Sequence, residues 1–443
     1  MKDVSRRKFL QLSSGAAIAA GLGAGCATTP SRAAQAGPAK TAPPSERVRL
    51  GLIGAAGRAS ALMAAFGQYD DMEFAAICDV YQPHLETAVA RTKGRAKGYR
   101  DFRDLLEQPD LDAVVIATPP HWHPLIFIHA CQAGLDVYCE KPMCMWPAEG
   151  RAMVNAAREN DCITQIGTQI HAGDNYRRVV EIVRSGILGD IHMVRNTLYH
   201  NEAPSVLGNV PDSDPPPDLD WDMWLGPAQV RPYNKALFQG GHHRFFKDLI
   251  GSWLHEMGGH ILDLPFWALD PGPPHAVSAV GGRYAMNDIT TIPDTVEVLY
   301  EYPDFMMTWS NQCASSFGRT MKGSTRRLLI SFHGTNGTLL ADYGSYELLD
   351  DRYRLKDVQL PEPYIPSSDG HQREFLDCVK SREQCSCSVE YHYPVHLAMN
   401  LGHIAMDLGR KIHWDPEKDR VVGDREARRM CTPDYRKPWR IPT

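Results

Sequence analysis

The chain has 443 residues, with 47 Lys+Arg against 53 Asp+Glu and a formal net charge of −6. This slightly acidic balance argues against a general nucleic-acid binder, which presents a basic surface, and 43% hydrophobic with 23% charged residues argues against wholesale disorder. No apolar run approaches the roughly 20 residues of a membrane-spanning helix.

The N-terminus reads Ser5-Arg6-Arg7-Lys8-Phe9-Leu10, followed by a short Gly- and Ala-rich run from Gly15 to Gly25. Basic residues, a weak apolar stretch and small residues describe an export signal over 1–25, and the paired arginines point to the twin-arginine route into the periplasm. Leu22-Gly23-Ala24-Gly25-Cys26 has the shape of a lipoprotein cleavage site, although Gly stands where an aliphatic residue is usual. A lipid anchor on Cys26 is the one membrane attachment expected; Ala-rich cleavage sites further on would release a soluble form instead. Residues 26–45, rich in Ala, Pro, Thr and Ser, read as a tether. The twin-arginine route carries folded proteins, so a cofactor can be loaded before export.

From Val48 the chain reads VRLGLIG-AAGRAS, a continuous apolar run, a small-residue turn and the start of a helical pattern. A buried parallel strand feeding a helix looks like this, and the turn lets backbone approach a pyrophosphate. The G-x-G-x-x-G positions are Gly54, Ala56 and Ala59, with an additional Gly57. A second strand, Met72–Cys78, ends in Asp79, 25 residues after Gly54. An acid there accepts from both adenosine ribose hydroxyls and repels a 2′-phosphate, which favours NAD over NADP. A third strand, Ala113–Ala117, leads into Thr118-Pro119-Pro120-His121-Trp122-His123-Pro124. A fourth, Leu135–Cys139, ends in Glu140-Lys141-Pro142, and a fifth, Cys162–Gly167, ends near Thr168-Gln169. Cys78, Cys139 and Cys162 fall inside these apolar patterns and read as core thiols.

The G-x-x-G-R turn, the strand-end Asp, the A-T-P-x-x-x-H loop and the E-K-P turn, in this order, resemble the Gfo/Idh/MocA family of NAD(P)-dependent sugar oxidoreductases from about Arg47 onward. The resemblance implies an α/β protein: an N-terminal Rossmann dinucleotide-binding domain over 46–167, then a C-terminal α+β domain over 168–443 for substrate binding and oligomerisation. It also implies that the strand ends hold the cofactor. These are Gly54, Ala56, Gly57 and Arg58 at the first, and Asp79 at the second. Thr118, Pro119, His121 and His123 follow at the third, Glu140 at the fourth and Gln169 at the fifth.

Beyond Gly167 a helix is predicted over Asp174–Ser185 and a strand over His192–Leu198. A Pro- and Asp-rich loop then runs from Asn201 to Gly240. A loop that long usually has a task; its Trp221 and Trp224 either stack on a sugar ring or pin the loop to the body. Next comes Gly251-Ser252-Trp253-Leu254-His255-Glu256-Met257-Gly258-Gly259-His260-Ile261-Leu262-Asp263-Leu264. At about 100° per residue, one helix would align Glu256, His260 and Asp263 in a polar stripe, a set suited to acid–base work. His255 and His260 are five apart rather than the four of a zinc-protease H-E-x-x-H. Cys385-Ser386-Cys387 has poor zinc spacing, so no metal site is expected. In the resembled family a D-x-x-x-H motif works with the E-K-P lysine; here Lys141 and His260 match, and Glu256 replaces the Asp. Asp263, Tyr233 and His242 are the expected substrate contacts.

Further on, Thr295–Glu301 and Met306–Trp309 alternate with period two, and Gly334-Thr335-Asn336-Gly337-Thr338 reads as a hairpin turn. Strands of this kind form a large open, mostly antiparallel sheet, and the family packs such sheets into homodimers or homotetramers. A late helix over about Pro394–Lys411 returns toward the first domain, and the tail Asp434–Trp439 docks on the body.

The function expected is an NAD-dependent oxidoreductase acting on a sugar, polyol or glycoside hydroxyl. His260 removes the hydroxyl proton, Lys141 stabilises the developing alkoxide, and Glu256 binds a neighbouring hydroxyl or orients His260. Outside the cytoplasm there is no free dinucleotide pool, so the cofactor stays bound and turnover is redox-neutral. Two alternatives stand beside this. One is an NAD-dependent glycoside hydrolase working by oxidation, elimination, water addition and re-reduction, although this chain keeps the E-K-P turn from which such enzymes depart. The other is a non-catalytic surface sugar-binding lipoprotein, which the Ala residues in the glycine turn would suit.

Overall fold

The computed structural model describes residues 47–315 and 327–442. The expected export signal, Cys26 and tether lie outside the described residues.

The apolar runs of the first domain form a parallel sheet of β1 (Val48–Ile53), β2 (Met72–Cys78), β3 (Lys97–Tyr99), β4 (Ala113–Ile116), β5 (Asp136–Cys139) and β6 (Thr164–Ile166). Their spatial order is β3-β2-β1-β4-β5-β6. The five expected strands are present with slightly shifted ends. The sixth, β3, was not foreseen: it is three residues long, exposed and without an apolar run. The chain leaves β1 toward β2 on one side and reaches β4 on the other, so the β1/β4 junction is a topological switch point. Ligands bind there, outside the carboxyl ends of the strands. Helices cover both faces, which is why every residue of β4 and β5 is buried.

The second domain builds an open sheet in the order β13-β12-β11-β7-β10-β9-β8-β14-β15. Its strands are β7 (Ile191–Tyr199), β8 (Ala276–Gly282), β9 (Thr295–Glu301), β10 (Met306–Gln312) and β11 (Leu328–Gly334). They continue with β12 (Gly337–Ala341), β13 (Tyr346–Asp350), β14 (Ile412–Asp415) and β15 (Arg420–Val422). Neighbours are antiparallel except β7 with β10. The expected hairpin closes between β11 and β12. The sheet's inner face is capped by Trp309, Tyr300 and Phe332, all fully buried.

Two late helices return to the first domain. One, His371–Ser381, was not expected; its Phe375 meets Phe66 and Tyr138 edge to face at 6.2 and 5.8 Å. The other runs Val389–Leu408, beginning five residues before the expected Pro394. Ser388 caps it by accepting from Tyr391 N at 3.3 Å, and Pro394, past the first turn, forfeits the bond its N–H would have made to Glu390 O. The tail docks as expected: Trp439 packs edge-on against Trp122 at 4.8 Å, and Tyr435 donates to the Glu149 carboxylate.

The long loop from Asn201 contains two short helices, Trp221–Leu225 and Lys235–Phe238, capped by Asp220 and Asn234. Trp221 stacks on Trp224 at 4.6 Å and donates to Arg231 O at 3.0 Å, so this pair pins the loop. Among the described residues no helix is long and apolar enough to cross a membrane. Among the same residues no group of three or more His, Cys, Asp or Glu is placed to hold a metal ion.

Candidate active site

The strand ends meet in one cleft. Gly54 has φ +85°, and a Cβ there would stand 2.7 Å from Thr118 N, so only glycine lets the β1 turn pass the β4 loop. Ala55 N donates to Asp79 Oδ2 at 2.7 Å and Tyr81 N to Asp79 Oδ1 at 2.8 Å, which holds the carboxylate at the cleft edge. Gly57, at φ +42°, borders open space. Thr118 Oγ1 is buried and finds no partner among the described residues. A narrow glycine turn, a fixed strand-end acid and an unsatisfied hydroxyl in one cleft fit a dinucleotide.

Further in, Arg58 Nε donates to Glu140 Oε1 at 2.6 Å and Arg58 Nη2 to Gln169 Oε1 at 3.2 Å. Burial raises the Glu140 carboxyl above its ordinary value, and Arg58 opposes that rise without cancelling it. His123 lies between two carbonyls, with Pro142 O 2.7 Å from Nδ1 and Thr118 O 2.8 Å from Nε2. Burial lowers its pKa to about 4, so the neutral ring donates to one of them at a time and ties the β4 loop to the E-K-P turn.

The reacting end is shared between domains. Lys141 Nζ donates to Glu256 O at 2.6 Å and lies 3.2 Å from Glu256 Oε2. His260, from the helix Trp253–Ile261, is 7% exposed and lines the same cleft. Burial, with the positive charges of Lys141 and Arg58, holds its pKa well below the ordinary value. Its Nδ1 is buried without a partner among the described residues. The result is a neutral imidazole beside an ammonium, an arrangement able to accept a proton while the cation faces the charge that develops.

The cleft is lined by Gly54, Ala56, Gly57, Arg58, Asp79, Thr118, Pro119, His123, Glu140, Lys141, Gln169, Glu256 and His260. Four expected residues are not among them. His121 is buried behind the loop with Nε2 3.0 Å from Trp224 O. Tyr233 is buried against Trp221, edge-on at 5.2 Å. His242 turns back to Ala236 O at 2.8 Å. Asp263 is fully buried, with Oδ2 3.0 Å from His171 Nδ1 and Oδ1 accepting from Tyr391 at 2.7 Å. Pro265 lacks the N–H that would reach Ile261 O, so one helical bond is missing at the joint, although Leu262 keeps helical angles of φ −71° and ψ −22°. With Asp263 turned to His171 and Tyr391, the expected stripe ends at His260. Glu256 pairs with Lys141 and not with His260, and His255 faces Asn400 at 2.8 Å, away from the cleft.

The residues not foreseen come from the long loop and the segment just after it: Met223, Phe238, His243 and Arg244 line the cleft, as does Trp224, one of the two loop tryptophans expected to stack on a sugar or pin the loop. The signal available was Gly240-Gly241. Both adopt left-handed φ, of 65° and 74°, and after such a turn His243 and Arg244, rather than His242, face inward.

Two family models match. One, described as an oxidoreductase family NAD-binding Rossmann fold, covers residues 48–168, and one described as an oxidoreductase family C-terminal alpha/beta domain covers 173–441. Among curated proteins, levoglucosan dehydrogenase of Pseudarthrobacter phenanthrenivorans is 24% identical over 59% of this chain and 63% of its own length. A glycosyl hydrolase family 109 protein of a Shewanella species is 27% identical over 46% of each chain. The match thus spans about half to under two thirds of those relatives. Among solved structures, the WlbA dehydrogenase of Bordetella pertussis, in complex with NADH and UDP-GlcNAcA, superposes with a TM-score of 0.63. It is 19% identical, over 83% of this chain and 99% of that one. Levoglucosan dehydrogenase with NADH and levoglucosan gives a TM-score of 0.57 at 18% identity, over 83% and 99%. These likenesses establish the fold.

Proposed function

The chain belongs to the Gfo/Idh/MocA oxidoreductase family, and on that premise we propose that it is an NAD-dependent oxidoreductase acting on a hydroxyl of a sugar, polyol or glycoside. The observation that carries the reading is the neutral His260 in one cleft with Lys141. NAD, when bound, supplies the hydride acceptor. Neutral His260 takes the proton from the substrate hydroxyl. The Lys141 ammonium faces the oxygen as negative charge grows on it. Glu256, through its carbonyl and its carboxylate, keeps the Lys141 chain in place. Asp79 holds the ribose end and leaves no room for a 2′-phosphate.

The cofactor is taken to stay bound through a redox-neutral turnover. The paired arginines and Cys26 support export of the folded chain by the twin-arginine route and anchoring as a periplasmic lipoprotein. The open sheet supports pairing into a homodimer or homotetramer. The relatives in glycosyl hydrolase family 109 favour one second reading, glycoside hydrolysis with transient oxidation.

The test is mass spectrometry of the dinucleotide released on denaturing the purified protein, followed by a panel of free sugars and glycosides. Keto-sugar products support the oxidoreductase, and free sugar released without net redox change supports the hydrolase. Absence of any dinucleotide, with no spectral change on adding NADH, leaves only a binding protein.

A further inference from the structure

The cofactor cleft has two walls, and one belongs to the second domain. The first domain supplies the strand ends; the second supplies a short segment, Phe238 to Arg244. At one end of this segment Phe238 stacks on His84, with centroids 6.0 Å apart and planes at 15°, and His84 Nδ1 lies 3.8 Å from Asp79 Oδ1. This is the ribose end. At the other end Arg244 Nη1 lies 3.7 Å from Glu256 Oε1, beside Lys141. This is the reacting end. Between them Gly240 and Gly241 present bare backbone to the cleft. A Cβ at Gly240 would stand 2.9 Å from His242 Nε2, and one at Gly241 3.0 Å from Arg244 Nη2. The segment therefore lines the cleft from the Asp79 end to the Lys141 end, with bare backbone midway.

The chain leading into this segment is hydrogen-bonded to the first domain directly after Asp79. Gln82 N donates to Asp218 O at 3.1 Å, and Asp220 N to Val80 O at 3.0 Å. Tyr81 and Leu219 form an antiparallel bridge. Arg100 Nη2 donates to both Val80 O and Asp218 O, at 2.6 and 3.0 Å. Trp122 Nε1 donates to Met223 O and Trp224 O, each at 3.1 Å. These contacts hold the chain leading into the segment against the first domain, and Phe238 itself packs on Tyr81 and Trp224, with centroids 5.4 and 6.0 Å away.

We propose that Phe238–Arg244 is a fixed strap across the bound dinucleotide and that it makes NAD a resident group which does not exchange during turnover. This rests on the oxidoreductase reading and adds to it the residues responsible. An exported enzyme has a reason to keep its cofactor, and the strap provides the means.

The full-length protein, loaded with NAD, is incubated with isotopically labelled NAD, and the bound label is followed by mass spectrometry. The expected result is dinucleotide that survives gel filtration and exchanges far more slowly than the enzyme turns over. Phe238→Ala removes the ribose-end contact, and Arg100→Ala removes an exposed tie while leaving the core intact. Each should exchange at least about ten-fold faster, equivalent to about 1.4 kcal/mol. Exchange within a single turnover in the unmodified protein overturns the strap but leaves the oxidoreductase reading standing, and so does an unaltered exchange rate in both variants. A protein that never takes up NAD overturns both.

Discussion

Two buried histidines lie near the joint between helices Trp253–Ile261 and Asp263–Leu269, and their protonation is driven in opposite directions. Among the described residues His260 has no carboxylate partner; it faces cationic neighbours and is held neutral by burial. His171 is just as buried, yet it is held above its ordinary value, because the adjoining Cys387 and Asp263 together outweigh the cost of burial. Burial pushes the Cys387 thiol up as well. Burial alone does not decide protonation; the groups beside the ring do. With its carboxylate on His171 and Tyr391, Asp263 leaves His260 able to accept a proton.

The largest expected effects test the neutral side of this pair. His260→Ala should lower kcat by about 10²–10⁴-fold, and Lys141→Ala by about 10²–10³-fold. In both, bound NAD should be unchanged when measured by mass spectrometry. Activity close to that of the parent in either variant would break the assignment. Asp263→Asn should strand the His171 cation and destabilise the fold by about 3 kcal/mol, read from urea titration. Its kcat should fall far less than that of His260→Ala; an equal fall with an intact fold would erase the distinction between the two histidines.

Titration sharpens the contrast further. His260 has a depressed folded pKa, and those of His121, His123 and His255 lie at about 4. Below the unfolded value near 6.5 the unfolded chain binds protons that the native state refuses. Stability should therefore fall as pH drops from about 6.5 toward 4, by up to about 1.4 kcal/mol per pH unit for each group. His171 works the other way: its contribution is complete below about 6.5 and is lost as pH rises through its raised folded pKa. Thermal melts across pH should show the acid loss, and His171→Gln should flatten the alkaline limb. The smallest effect is expected at Glu256→Gln, which loosens Lys141 and should lower kcat by about ten-fold, about 1.4 kcal/mol, without moving the melting temperature.

The cofactor side of the cleft was legible because parallel-sheet topology puts every strand end at one edge. Once the apolar runs are read as strands, Gly54, Asp79, Thr118, Lys141 and Gln169 must converge. The substrate side depends on joints instead. Asp263 was visible in the sequence, but where its carboxylate turns requires knowing which helix face meets the cleft. In the same way, the histidine of His242-His243 that points inward follows from two left-handed glycines whose φ no periodicity reveals.

The sequence by itself determined the order of strands and turns, the family, the preference for NAD, and the pairing of Lys141 with a histidine of the second domain. The strands and turns follow from hydrophobic period and from glycine and proline placement, and the NAD preference from the strand-end acid, all of which act locally. The family and the combination of Lys141 with a histidine are what the resemblance implies. Only the tertiary structure decided that Asp263 meets His171, that Glu256 meets Lys141, and that a second-domain segment lines the cleft. Each of these is a contact between segments far apart in the chain, set by packing and burial, which local pattern does not encode.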